Sequence, residues 1–115
     1  MERSSVEDKV KRARTEALFR DVNERIAESA DRSDVSKTEF VCECSDPHCT
    51  HRMDATLDEY ERVRSDATTF MVTPGHEQDD IERVVRDGRR FNIVEKVQST
   101  VRATVRALNP RSRPA

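Results

Sequence analysis

The chain has 115 residues, of which 34% are apolar and 38% are charged, with one tyrosine, four phenylalanines and no tryptophan. A chain this short and polar supports one small core, and small cores are commonly reinforced by a bound metal or by disulfides. The net charge of −2 is unevenly placed: residues 1–32 sum to zero, residues 96–115 carry +5, and residues 33–95 therefore carry −7. The acidic centre argues against a nucleic-acid clamp in the core domain and leaves only the two ends for that role.

An amphipathic helix is predicted for the N-terminal segment, residues 1–32. Ser4 and Glu7 form a capping-box pattern, and apolar residues then recur at intervals of three and four between charged ones. We expect a helix over about residues 5–30 that packs through this apolar stripe on the domain that follows. The stripe consists of Leu18, Phe19, Val22, Ile26 and Ala30.

The domain predicted for residues 33–108 begins with a short strand at residues 38–42, which runs directly into a group of cysteines. A second capping box, formed by Thr56 and Glu59, predicts the start of a short central helix that ends near residue 66. The inner face of this helix is predicted to consist of Leu57, Tyr60 and Val63.

The second half of the domain is predicted to contain strands and a closing helix. A β-prone run covers residues 69–73, and two more flank Asp87-Gly88, a dipeptide typical of hairpins. An apolar repeat then predicts a C-terminal helix, and residues 109–115 are predicted to be a disordered tail. The repeat consists of Val94, Val97, Val101, Val105 and Leu108.

These elements predict an α+β fold: a small zinc-stabilised domain with a few antiparallel strands, a short central helix and flanking N- and C-terminal helices. Its small core requires nearly all the large apolar side chains of the centre. The predicted core consists of Phe40, Leu57, Tyr60, Val63, Phe70, Val72, Val84, Phe91 and Ile93.

Three cysteines lie within eight residues, in the C-x-C-x4-C pattern of Cys42, Cys44 and Cys49. An odd number spaced so closely does not suit a secreted disulfide framework, and the charged N-terminal residues predict neither a signal peptide nor a membrane span. A reducing cytoplasmic compartment and no membrane partner are therefore expected. Thiolates and imidazoles are the usual ligands of structural zinc, so we predict that the cysteines and one histidine bind Zn²⁺.

Three histidines compete for the fourth position. His48 adjoins Cys49, which makes joint coordination of one ion awkward, and we assign it to the surface. His51 lies two residues beyond Cys49 and could reach the ion. His76 follows Pro74-Gly75 on a tight turn, and a ligand from a remote segment closes a large loop, where a metal stabilises a fold most. We therefore predict His76 as the fourth metal ligand, with His51 as the alternative.

Three sequence motifs surround the cysteines and His76. They are F-x-C-E-C-x-D-x-x-C at residues 40–49, L-x-x-Y-E-x-V-R at 57–64 and F-x-V-x-P-G-H-E at 70–77. In these motifs the chain resembles a group of short, uncharacterised actinobacterial proteins. The resemblance spans about residues 15–110 and includes the segments N-E-R-I and V-E-K-V. It implies a bacterial source and the same order of three cysteines and one histidine, and it implies no particular activity.

A site of three cysteines and one histidine leaves no coordination position open for water or substrate, which favours a structural role over catalysis. We therefore predict that the chain is not an enzyme. The favoured function is a non-catalytic zinc-binding protein that serves as a regulatory protein-interaction module. Its terminal helices supply apolar stripes that could pack on a partner protein.

Two other functions stay open at this point. Nucleic-acid binding would use the basic residues of the termini, namely the last twenty residues and the N-terminal cluster. A zinc-dependent or redox enzyme would require an open metal site, with Glu43, Asp46 or Glu77 as the base. The oligomeric state is open as well, because either terminal helix could pair with its copy. The N-terminal cluster consists of Lys9, Lys11, Arg12 and Arg14.

Overall fold

The computed structural model of the chain describes residues 2–112, with side chains from residue 6 to residue 111. These residues form three α-helices and two small antiparallel sheets, so the predicted α+β class is confirmed. No helix in this part of the chain has the length and apolarity needed to cross a membrane. The elements are α1 (Glu2–Arg32), β1 (Lys37–Val41), β2 (Arg52–Thr56), α2 (Leu57–Val63), β3 (Thr69–Val72), β4 (Glu82–Arg86), β5 (Asn92–Lys96), α3 (Ser99–Ala107) and a 3-10 turn (Pro110–Ser112).

A backbone hydrogen bond links the segment after the first sheet to the second sheet. In the first sheet β1 pairs with β2, so that Phe40 lies opposite Met53, and in the second the strand order is β3-β5-β4. Just beyond β1, the backbone N–H of Glu43 donates to the carbonyl of Met71 in β3 over 2.9 Å. The chain that leaves β1 therefore runs along the outer edge of β3. Strand β2 was not predicted, because its sequence, R-M-D-A-T, has only two apolar residues.

One of the two predicted capping boxes is confirmed. The Thr56 hydroxyl accepts a hydrogen bond from the Glu59 N–H over 3.0 Å, and the Glu59 carboxylate accepts one from the Thr56 N–H over 2.8 Å. These bonds satisfy the exposed amides that begin α2. The box predicted at Ser4 and Glu7 is wrong, because α1 already begins at Glu2 and Ser4 lies within the helix.

Helix α1 docks mainly through small and polar side chains, and the predicted apolar stripe is correct for Ala30, which is buried, and Ile26, which packs against the core, but wrong for Leu18 and Val22. Leu18 is 62% exposed and Val22 is 38% exposed. The fold presents polar groups to α1: Arg20 is fully buried and donates to the carbonyls of Ala67 and Val105, each over 2.9 Å. Alanines let the helix backbone approach closely between such contacts. The buried positions of α1 are Ala13, Glu16, Ala17, Arg20, Asn23, Ala27 and Ala30.

The ring of Phe70 in β3 lies between two buried cations. The Arg20 guanidinium carbon is 4.7 Å from the ring centroid, and the Lys96 ammonium nitrogen is 4.6 Å from it. Lys96 also forms ion pairs with Glu16 of α1, at 2.8 Å, and with Glu82 of β4. Cation–π attraction and charge pairing strengthen in a site without water. Helix α1 is thus tied to the second sheet through charged groups.

The C-terminal helix begins later than predicted. Val94 lies in the central strand β5, and α3 starts at Ser99, where Gln98 caps the helix by accepting a hydrogen bond from the Val101 N–H over 2.8 Å. Val94 adopts a strand conformation because β3 and β4, the two neighbours of β5, both pair with β5 at this residue. Of the predicted repeat, the α3 residues that are buried are Val101 and Val105.

The predicted disordered tail, residues 109–115, is wrong for its first part. Pro110–Ser112 form a 3-10 turn. Arg111 holds this turn against the helices by ion pairs with Glu24 of α1, at 2.6 Å, and Glu61 of α2, at 2.7 Å. The last three residues lie outside the described part of the chain.

The prediction of the core is correct for five of its nine residues, which are fully buried. Leu57, Phe91 and Ile93 are half-buried at its edge, whereas Val84 is 40% exposed on the edge strand β4, so its assignment to the core is wrong. The fully buried predicted residues are Phe40, Tyr60, Val63, Phe70 and Val72. The fold adds Met53, Ala55, Met71, Ile81, Val94, Val101 and Val105.

The buried ion pairs make stability depend on pH through Glu16. Burial is the largest cause that raises the pKa of its carboxyl, to about 7; the charges of Lys96 and Arg12 oppose the rise, and that of Glu82 adds to it. The unfolded chain releases this proton near pH 4.5, whereas the folded protein keeps it. The contribution of Glu16 to the free energy of unfolding therefore falls as the pH rises from about 5 to about 7.

We expect the unfolding free energy of wild type, minus that of Glu16→Gln, to decline over this interval in urea denaturation experiments. The subtraction removes pH effects that arise elsewhere in the chain. Glu28→Gln, at an exposed position of the same helix, is the control, and its difference from wild type should stay flat. Parallel profiles for wild type and Glu16→Gln would contradict the prediction.

Candidate metal centre

Four potential metal ligands converge between the two sheets. One ligand atom from each of Cys42, Cys44, Cys49 and His76 lies within 4.8 Å of all the others. The Nδ1 atom of His76 is 3.5 Å from the Cys42 sulfur and 3.7 Å from the Cys49 sulfur. Cys42 and Cys44 are buried, and Cys49 and His76 are half-buried. The structure thus brings together the four residues that the sequence analysis selected.

A compact turn brings Cys49 back to the first two cysteines. The Cys49 N–H donates to the Asp46 carbonyl over 3.0 Å, and the His48 N–H donates to the Asp46 carboxylate over 2.9 Å. Aspartate commonly holds a turn in this way, and Pro47 fixes the backbone that follows it. The Cys42 N–H then donates to the carbonyl of His51 over 3.1 Å and closes the loop where β1 and β2 meet.

A tight turn after β3 supplies His76. The His76 N–H donates to the Thr73 carbonyl over 2.9 Å, with Pro74 and Gly75 at the two central positions. Gly75 has a φ of +94°, which a glycine adopts without strain, and the arrangement is that of a type II turn. Because the turn directly continues β3, the sheet itself positions the imidazole.

The distances fit a tetrahedral ion of the size of zinc. Zinc–sulfur bonds are about 2.3 Å and zinc–nitrogen bonds about 2.0–2.1 Å, so a tetrahedral site places sulfur and nitrogen about 3.6 Å apart. The two sulfur–nitrogen distances of 3.5 and 3.7 Å agree with that value. Thiolate and imidazole donors do not suit calcium or magnesium, which prefer oxygen. These residues could therefore hold a soft or borderline metal ion.

The Cys42 thiol is already poised to lose its proton. A hydrogen bond from Cys44 is the largest cause that lowers the pKa of the Cys42 thiol, to about 5, and hydrogen bonds from Thr73 add to the effect against the opposing cost of burial. The Thr73 backbone N–H donates to the Cys42 sulfur over 3.2 Å. The same shared hydrogen bond, together with burial, raises the pKa of Cys44. A bound cation would replace the shared proton, because metal-bound cysteines are deprotonated.

Glu43, between the first two cysteines, is a fully buried carboxylate. It accepts hydrogen bonds from the Met71 N–H over 3.0 Å and from the Asn23 amide over 2.8 Å, and burial raises its pKa to about 7. Asn23 in turn donates to the Val41 carbonyl and accepts from the Val41 N–H, so it links α1 to the end of β1. The polar groups that position the cysteine segment thus come from α1 and β3.

The other predicted candidates lie around the four ligands. The His51 ring packs edge-on against the His76 ring, with centroids 4.6 Å apart, while His51 and His48 are exposed. Glu77 accepts from the Gly75 N–H over 3.1 Å. As described above, Asp46 and Glu43 also accept backbone hydrogen bonds. The sequence analysis missed the positioning role of Asn23, since polar residues in an amphipathic helix are ordinarily assigned to solvent.

We expect Glu43→Gln to lower the free energy of unfolding by about 1–3 kcal/mol in urea denaturation of the metal-loaded protein. The glutamine has nearly the same shape, but its NH₂ group must face either the Met71 N–H or the Asn23 amide, both of which are donors here. Glu39→Gln, at an exposed position of β1, is the matched control and should change stability by less than about 0.5 kcal/mol. Equal effects of the two substitutions would show that Glu43 has no special positioning role.

Comparisons with protein-family models, curated proteins and solved structures find no match to this chain. The geometry of the site is compatible with metal binding by three cysteines and one histidine.

Proposed function

We propose that the chain is a non-catalytic zinc protein, in which Zn²⁺ joins the cysteine segment to the turn after β3. The observation that carries the proposal is the convergence of the four donor atoms within 4.8 Å of one another, with two sulfur–nitrogen distances that match a tetrahedral zinc site. Three thiolates and one imidazole are a common structural zinc set. Zinc is favoured over copper or iron because structural tetrahedral sites with this mixed donor set are typical of zinc in proteins.

A structural role follows from the number of protein ligands. Catalytic zinc sites keep three protein ligands and leave the fourth position to water, whereas this site offers four. The carboxylates that could act as a base are held by backbone N–H groups: Glu43 by Met71, and Glu77 by Gly75. We therefore place the function of the protein on surfaces that the metal holds in position.

The metal should contribute much of the folding free energy. Structural zinc binds with an apparent free energy of about 10–16 kcal/mol at neutral pH, which is comparable to the total stability of a small domain. The site links Cys49 to His76 across 27 residues of sequence, so binding would also restrict the loop between them. Removal of the metal by a chelator is expected to unfold the domain or to loosen the cysteine segment.

We expect purified wild type to contain one zinc per chain and His76→Ala to lose most of it, measured by elemental analysis. His51→Ala is the matched control, because it removes the neighbouring exposed ring and leaves the four ligands intact. His76→Cys restores a fourth ligand and should recover zinc binding even if His76→Ala folds poorly. Absence of zinc from wild type, or equal loss in His51→Ala and His76→Ala, would contradict this assignment.

We further propose that the partner is another protein and that it binds the outward face of α1. On this face Val6 is 52% exposed, Leu18 is 62% exposed and Val22 is 38% exposed; Val10 lies between the first two in the same i, i+4 row, and Arg14 interrupts the row before Leu18. The opposite face of the helix docks on the domain through polar groups, which leaves this apolar row unpartnered among the described residues. Amphipathic helices commonly bind partner proteins through such a row.

The basic termini give less support to nucleic-acid binding. Lys96 is fully buried in ion pairs with Glu16 and Glu82, so it offers no charge to the surface. Arg111 is paired with Glu24 and Glu61, as described above. At the other end, Arg12 pairs with Asp8 and Asp80. Much of the positive charge counted in the sequence is therefore neutralised within the fold.

We expect Leu18→Glu to abolish recovery of the partner from a native extract, because it replaces the most exposed apolar side chain of the row with a negative charge. Ser29→Glu adds the same charge at an exposed position of α1 outside the row and should leave recovery unchanged. Circular dichroism should show the same helix content for both variants. If Leu18→Glu recovers the same set of proteins as wild type, this face is not the binding surface.

A further inference from the structure

A basic cleft lies between α2 and the loop that joins β4 to β5. It has a volume of about 240 Å³ and is lined by four arginines against two carboxylates, so its lining residues carry a formal net charge of +2. The surrounding central part of the chain, residues 33–95, is acidic overall. The arginines are Arg62, Arg86, Arg89 and Arg90.

One of these arginines forms hydrogen bonds and an ion pair within the fold, and the other three do not. Arg90 forms a two-point ion pair with Glu59, at 3.1 and 2.5 Å, and also donates to the Asp54 carbonyl over 2.8 Å. No hydrogen bond or ion pair among the described residues uses the guanidinium of Arg62, Arg86 or Arg89. Other arginines of the chain find carboxylates readily, as the pair of Arg83 and Glu95 next to this loop shows. The three unpaired guanidiniums therefore gather in one cleft, where Asp87 is the one lining carboxylate that Arg90 does not engage.

The loop that carries two of them has a fixed shape. The Gly88 N–H donates to the Asn92 side chain over 3.0 Å. A Cβ at Gly88 would lie 2.5 Å from the carbonyl oxygen of Phe91, so the backbone closes on itself too tightly for any other residue. A preformed loop reduces the entropy lost on binding. Arg86 and Arg89, on either side of this closure, are thus carried by a defined backbone.

The chemistry of the cleft matches a phosphate monoester. Guanidinium groups bind phosphate oxygens in two-point fashion, and a monoester carries about −1.5 to −2 at neutral pH, which balances the formal charge of the lining. Phe91 and Ile93 are half-buried and form an apolar wall beside the arginines. A volume of 240 Å³ suits a small molecule rather than a polymer strand.

We propose that this cleft binds the phosphate monoester of a small molecule, with the phosphate held by Arg62, Arg86 and Arg89 and the organic part against Phe91. The cleft contains none of the four predicted metal ligands. The proposal therefore stands independently of the zinc assignment and adds a ligand-binding surface to the proposed interaction module.

The test uses the full-length, metal-loaded protein and isothermal titration at about 50 mM ionic strength, where charge interactions are weakly screened. Adenosine monophosphate is the probe, and adenosine and a single-stranded oligonucleotide are the comparison ligands. Arg86→Gln combined with Arg89→Gln removes two of the three guanidiniums. Arg52→Gln combined with Arg106→Gln removes two exposed, unpaired arginines outside the cleft and is the control. Both double variants must retain the metal content of wild type.

We expect adenosine monophosphate to bind wild type, adenosine to bind at least about tenfold more weakly, and the cleft variant to lose about tenfold or more in affinity. The control variant should stay within about twofold of wild type. The proposal is overturned if the monophosphate does not bind, if adenosine binds as tightly, or if the control variant loses as much affinity as the cleft variant. Binding of the oligonucleotide without binding of the monophosphate would also overturn it and would point to a nucleic-acid surface.

Discussion

The contact between Glu43 and Met71 positions the segment after β1 against β3, and the rest of the structure depends on this contact. The backbone and side chain of Glu43 both bond to the main chain of Met71, so the segment after β1 is held along the edge of β3. Cys42 then meets the Thr73 N–H, and the turn that continues β3 places His76 beside the thiols. Burying a carboxylate between two cysteines costs free energy by itself. Here, however, the carboxylate accepts hydrogen bonds from buried donors that would otherwise have no partner.

A shortage of large apolar side chains explains why α1 docks through polar groups. The chain has too few large apolar residues to cover the second sheet and also cover a 31-residue helix. It instead places Arg20 and Lys96 on the two sides of Phe70 and pairs Lys96 with buried glutamates. Such pairs need complete geometry to offset their desolvation, and they specify one arrangement of helix on sheet more narrowly than an alanine or leucine contact would. A domain with so small an apolar core has a low free energy of unfolding, and a metal that joins two of its segments would raise it.

Local patterns allowed prediction where neighbouring residues determine the structure. The Thr56 cap, the Pro74-Gly75 turn and the hairpin around Gly88 depend on short-range hydrogen bonds and backbone preferences. The choice of His76 rested instead on the large loop that a remote ligand closes. The docked face of α1 could not be predicted, because Arg20 and Asn23 are buried only when the carbonyls of Ala67, Val105 and Val41 are in place. Val94 was assigned to a helix for the same reason: its spacing suits α3, but two flanking strands determine its conformation.

If four protein ligands hold one ion, the thiols are not available for chemistry, and the function must lie on other surfaces of the protein. A metal held by Cys42, Cys44, Cys49 and His76 has no coordination position left for a substrate, and the buried carboxylate beside it is fully engaged. A metal at this site would fix the position of β3, and through β5 the hairpin of β4 and β5 that carries Arg86 and Arg89. The apolar row on α1 is tied to the same sheet by the buried ion pairs. Loss of the metal should therefore disturb both surfaces together, whereas a substitution on either surface should leave the metal and the other surface intact.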